Sequence, residues 1–136
     1  MKTKPLFVIS GKRKTAVARA SVFDGTGLIT YNGLDHSLIP FFHRLALNEP
    51  MKIAHEVIGP IKVDIVIRAV GGGKEGQIQA ARLALAKALV QATKSVDLRK
   101  AFLKYDRNLL VADTRRKEVY KPGDSKARAK RQKSYR

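Results

Sequence analysis

The segment Gly71-Gly72-Gly73-Lys74-Glu75-Gly76 sets its glycines at the spacing G-x-G-x-x-G, and Asp97 follows about twenty residues on, which is the pattern of a dinucleotide site. In that chemistry the glycines let backbone approach a pyrophosphate and the acid reaches a ribose hydroxyl. The surroundings speak against it. No clear second strand follows to hold Asp97 at its end, and 136 residues are too few for two mononucleotide-binding halves. The segment is not a P-loop, because Gln77 stands where Lys-Ser/Thr is needed. What remains is a permissive strand-to-helix turn. The helix N-terminus beyond it, beside Lys74, could hold the phosphate of an RNA.

The other reactive side chains form no constellation. His36, His43 and His55 lack the spacing of a metal pair and read as structural or solvent-exposed residues. There is no nucleophile elbow, no convincing pair of carboxylates, and no cysteine for a thiolate site or disulfide. The expectation is a chain that is not an enzyme and needs no metal, cofactor or small-molecule substrate.

The basic residues carry more information. The formal net charge is +17, which calls for a polyanionic partner, nucleic acid or anionic membrane. Its placement is uneven: +6 over residues 1–22, +3 over 23–114 and +8 over 115–136. Charge gathered at the ends reads as arms that bind nucleic acid rather than as a uniformly solubilising surface. Lys12, Arg13 and Lys14 stand between two strand-like runs, where three long cations could meet a phosphate ridge. The final stretch adds Arg115, Arg116, Lys117, Lys121, Lys126, Arg128, Lys130, Arg131, Lys133 and Arg136. Pro122 and Gly123 stop a helix before its last cations, and Ala127, Ala129 and Ser134 keep the chain between them slim. Tyr120 and Tyr135 offer rings for stacking on bases or sugars.

The remainder must position these groups. At 44% hydrophobic the chain can bury one core. No window reaches the roughly 18 apolar residues of a membrane span. The apolar run Pro5–Ile9 is five residues long, shorter than the roughly 7–15 of a secretory leader. Leu6–Ile9 reads as a short buried strand. Residues 15–23 read as a second strand with Ala18, Ala20 and Val22 on one face, and Leu28–Tyr31 as a third returning after the Asp24–Gly27 turn, an antiparallel meander. Residues 35–58 are helical with a break near Asn48-Glu49-Pro50. Ile61–Val70 alternates as a half-buried strand, and Glu75–Thr93 shows Ile78, Ala81, Leu85, Ala88, Leu89 and Ala92 at helical spacing. A short helix at Val96–Leu103 closes the list, and no core-forming pattern follows Asp113. The expectation is an α+β domain over 1–112, a four-stranded sheet with helices on one face, followed by an extended basic tail over 113–136.

The stretches GKRKTAVARA, YNG, GGGKEGQ, DTRRKEVYKPG and the terminal KARAKRQKSYR, in this order, resemble the family of the ninth protein of the small ribosomal subunit. The ending QKSYR is similar to the archaeal and eukaryotic branch; bacterial members typically carry Lys where Tyr135 stands, so the role of that Lys does not transfer. The resemblance implies a fold like the second domain of ribosomal protein five, with a left-handed βαβ crossover. It implies a cytoplasmic, ribosome-bound protein in the head of the small subunit, beside other head proteins and not in a membrane. It further implies contact with small-subunit ribosomal RNA through Lys12, Arg13, Lys14 and the tail cations, and an approach of Arg136 to the anticodon stem-loop of peptidyl-site transfer RNA. Lys74, from its place at a helix N-terminus, is expected to join the RNA contact, and Tyr135, from its place beside Arg136, the transfer RNA contact.

Overall fold

The computed structural model describes residues 4–130 and 132–136. Five strands, β1 (Phe7–Arg13), β2 (Ala16–Asp24), β3 (Ile29–Tyr31), β4 (Leu34–Asp35) and β5 (Val63–Val70), form one mixed sheet in the order β1-β2-β5-β3-β4. Three helices accompany it: α1 (Phe41–Ile58), α2 (Lys74–Thr93) and α3 (Val96–Tyr105). Single 3-10 turns lie at His36–Leu38 and Arg107–Leu109.

The architecture is α+β, as the sequence implies, but the sheet differs from the expected four strands. The fifth strand is β4, two residues long. Asn32 and Gly33 take φ values of 49° and 82°, the left-handed pair of a tight hairpin turn, and they fold Leu34 back beside Tyr31. The Asn32 side chain also accepts from the backbone N–H of Ala69 at 2.8 Å, tying the turn to β5.

The meander is corrected as well. β2 pairs antiparallel with β1 and with β5, while β3 pairs parallel with β5. Residues 25–28 carry the chain past the end of β5 instead of closing a hairpin. Their path is held by Asp64, whose Oδ1 accepts from the backbone N–H groups of Thr26, Gly27 and Leu28 at 2.8, 3.0 and 2.9 Å. Those bonds hold the Asp64 carboxyl below its ordinary pKa, the Leu28 N–H contributing most.

Strand β1 runs on through Gly11, Lys12 and Arg13, and it alternates in burial rather than being buried throughout. The β1–β2 connection is thereby reduced to Lys14 and Thr15, with Arg13 opposite Ala16. Helix α1 is also continuous through Pro50. The ring lies fully buried, so packing holds a helical turn that the missing N–H would weaken.

The core forms on one face of the sheet. Ala16, Ala18, Ala20 and Val22 of β2 and Ile65, Ile67 and Ala69 of β5 point into it. Helix α2 covers them, and its outer side is covered in turn by α1 and α3. Burial on two sides explains why α2 buries Ala80, Leu83, Ala84 and Ala86 in addition to residues of the expected stripe. Among the described residues no charged or polar residue is buried. The approach of α2 to the sheet depends on Gly11: a Cβ there would lie 2.2 Å from the Ala80 carbonyl oxygen and 2.7 Å from the Ala84 nitrogen.

Gly11→Ala is therefore expected to cost about 1–3 kcal/mol or more, the range for overpacking a close contact. Urea denaturation measures it, and a midpoint equal to that of the unaltered chain would contradict this packing.

Candidate nucleic-acid interface

Two elements meet at one end of the sheet. The first is the Lys14–Thr15 hairpin tip, where Lys14 takes φ 51°. The second is the Gly71–Gly73 turn leading into α2. Gly71 and Gly72 have φ values of 77° and 62°, and a Cβ on either would lie within 3 Å of an oxygen of Thr15. These two glycines thus let the turn press against the hairpin. This is the structural use of the glycine pattern. Among the described residues no strand follows α2: the next element is α3, and Asp97 lies exposed at its start. The glycine turn is not part of a dinucleotide-binding βαβ unit.

The α2 N-terminus carries Lys74, exposed, and Glu75, whose Oε1 lies 2.9 Å from Nε2 of His43. An acid in the first turn satisfies part of the helix dipole from within the chain. Beside it an open groove of about 660 Å³ is lined by Arg13, Lys14, Gly72, Gly73, Arg82 and Arg115, among others.

The cations of the hairpin do not share one direction. Strand alternation sets Arg13 with Gly11 on the helix side and Lys12 on the opposite side. Arg13 forms an ion pair with Asp113, one hundred residues away, at half-buried positions. Asp113 also accepts from Arg115, from its backbone N–H at 2.9 Å and from Nη2 at 2.8 Å. The bonds from Arg115 first, then the charges of Arg115 and Arg13, hold the Asp113 carboxyl far below the usual carboxylate range. Asp113 is the residue that sequence reasoning missed. The available signal was a lone acid directly before Thr-Arg-Arg, which reads as a clasp only when Arg13 is known to be near.

Arg82 is a second organising cation outside the expected set. It pairs with Glu49 of α1 and, at 3.1 Å, with Asp106 before the last 3-10 turn. It thus ties three elements together at the wall of the groove.

Beyond Asp113 the described residues contain no helix or strand, and nearly all are exposed. The tail is not straight. Arg128 forks onto Glu118, with Nη2 donating at 2.7 Å, and Lys121 Nζ donates to the Ala129 carbonyl at 2.9 Å. Lys117 Nζ sits 4.5 Å from the centre of the Tyr120 ring. Exposed pairs of this kind are weak and screened by salt. Arg116, Lys126, Lys130, Lys133, Tyr135 and Arg136 face solvent, and Arg131 lies outside the described residues. Among the described residues there is no His/Cys/Asp/Glu group that could hold a metal ion, and no helix is long and apolar enough to cross a membrane.

These features define a class, the small basic α+β domain that carries a cationic arm outside its core. Comparison with known proteins gives the family. The model of the family described as Ribosomal protein S9/S16 matches residues 11–136. The small ribosomal subunit protein uS9 of Methanococcus vannielii is 46% identical over 129 residues, 93% of this chain and 95% of that protein. A uS9 of Methanococcus maripaludis is 47% identical over the same shares. The chain belongs to the ribosomal protein S9 family, whose members are structural and not enzymes.

Because Asp113 has a lowered pKa in the fold, its contribution is present above the ordinary carboxylate range near 4 and is lost as pH falls through the lowered value. At neutral pH the clasp is therefore closed. Asp113→Asn is expected to leave the cooperative melting transition in place and to speed cleavage after Arg115 and Arg116 by a Lys/Arg-specific protease several-fold. Unchanged cleavage would show that the clasp does not hold the tail.

Proposed function

We propose that this protein is a structural constituent of the small ribosomal subunit, bound in the head to its ribosomal RNA. The observation that carries the reading is the separation of a nearly neutral core from a tail that buries almost nothing and holds a +8 surplus over residues 115–136. In this reading the chain divides into an RNA-docking domain, 1–112, and a tail, 113–136, that lies along RNA. The parallel β3–α1–β5 connection is the crossover to which the family resemblance assigns a left hand.

Docking uses Lys12, Lys14 and Lys74 near the hairpin and the α2 N-terminus, with Arg13 and Arg115 holding the tail root while their outer N–H groups face RNA. The tail cations Arg116, Lys117, Lys121, Lys126, Arg128, Lys130, Arg131 and Lys133 neutralise phosphates. Ordering a residue costs about 1–2 kcal/mol of backbone entropy, and release of counterions from the RNA offsets it. Contacts of this kind follow backbone and shape rather than base edges, because the deep major groove of RNA is closed to side chains. The last residues, Tyr135 and Arg136, approach the anticodon stem-loop of peptidyl-site transfer RNA. Arg136 offers a planar fork for phosphate and Tyr135 a fully presented ring, 88% exposed. Neighbouring head proteins are the remaining partners, and the working place is the ribosome in the cytoplasm.

Deleting residues 126–136 removes six cations. The domain is expected to melt cooperatively as before, and the slope of log affinity against log salt for small-subunit ribosomal RNA to fall by up to about four. Loss of the cooperative transition would show the tail to be part of the core. In cell extract the full chain is expected to sediment with small subunits through a high-salt wash; sedimentation apart from them would defeat the ribosomal reading.

A further inference from the structure

The helices cover only one face of the sheet, and the other face holds an arrangement that folding alone does not favour. Arg19 of β2 stands directly opposite Arg68 of β5, and both are exposed. Side chains opposite each other on an antiparallel pair approach to about 5 Å at Cβ, where like charges repel. Among the described residues neither arginine makes an ion pair. The acids of this face are already engaged: Asp64 by three backbone N–H groups, and Asp35 by the Ser37 hydroxyl at 3.3 Å.

The register continues the pattern across the sheet. Ser10 of β1 lies beside Arg19, and Lys12 lies one diagonal step further toward the hairpin. The row on the other side is Ser21, Val66 and Thr30. The face is therefore a line of three cations set among short hydroxyl and branched side chains; its aromatic ring, Phe23, is half-buried opposite Asp64, away from the cations. The face suits a phosphate backbone, which needs charge and donors but no pocket. Guanidinium forks held side by side can grip one phosphate from two directions.

We propose that the helix-free face of the sheet is a second RNA-binding surface, a phosphate track centred on the Arg19–Arg68 pair and continued by Lys12. This rests on the RNA-binding reading above and extends it from the groove at the α2 N-terminus, which the track adjoins at Lys12, to a sheet face that neither the groove nor the tail includes. The track starts on the hairpin strand that also carries Lys14. RNA can therefore wrap the edge of the sheet instead of meeting the protein only at the hairpin tip and tail.

The test compares the full chain with Arg19→Gln/Arg68→Gln and Arg19→Lys/Arg68→Lys, each titrated with small-subunit ribosomal RNA over a range of salt. The glutamine pair is expected to lower the salt slope by about 1.4–1.8, the sum for two phosphates, with a melting temperature unchanged or raised as the repulsion is removed. The lysine pair is expected to keep the slope and to bind more weakly than the arginine pair. A glutamine variant that binds RNA as the original does, with the same slope, overturns the track. So does one that keeps its RNA slope but loses an acidic head protein, which would make the face a protein contact. A falling melting temperature also overturns it, because the pair would then serve the fold. If the unaltered chain itself fails to bind this RNA, the fault lies with the ribosomal reading and the track falls with it.

Discussion

The close contact between α2 and the sheet governs the rest of the structure. It is made of small residues on both sides, Gly11, Ala16, Ala18 and Ala20 below and Ala80, Ala81, Ala84 and Ala88 above. Such a contact brings backbones together and gains dispersion over many atoms, each weak by itself. Its tightness has a positional consequence. With α2 pressed onto β1 and β2, the helix N-terminus cannot lie anywhere but beside the β1–β2 hairpin. The glycine turn then meets Thr15, the groove forms between them, and the root of the tail passes within reach of Arg13.

The distribution of charge follows from the same packing. Because the interior is apolar, it accommodates no charge, and among the described residues no Lys or Arg is buried. A few are spent on holding the molecule together: Arg82 between α1 and the last 3-10 turn, and Arg13 with Arg115 on Asp113. Most of the others are in contact with solvent. The result is a packed body that presents cations from the hairpin, from the helix-free sheet face and from a tail tied to it at its root by the Arg13–Asp113 clasp. For a partner whose surface is a field of phosphates, this combines a fixed docking element with an adaptable one. The entropic cost falls only on the adaptable part.

Much of the candidate interface could be read from residue types. The glycine-rich turn, the hairpin cations and the tail are local features, and local spacing exposes them. What stayed hidden were relations between distant segments. Arg13 read as one of three equivalent cations; the strand that continues through it turns it inward, toward Asp113. Asp113 itself marked only the end of the core pattern. Arg19 and Arg68 each read as an ordinary polar position on an alternating strand, and nothing local says that they are opposite one another.

The sequence alone determined which segments are regular and where the surplus charge lies. Period-two alternation in Ile61–Val70 and helical spacing in Glu75–Thr93 reflect burial, and burial acts on each segment separately. Tertiary structure decided the neighbours. Alternation says which face of a strand is buried but not which strand lies beside it, so the insertion of β5 between β2 and β3 could not be read from either run. The same limit applies to Pro50: local rules stop a helix there, and only the packing of α1 against α2 and α3 supplies the energy to carry the helix through. Pairing, unlike burial, is a property of two segments at once, and it is settled only when the chain has closed on itself.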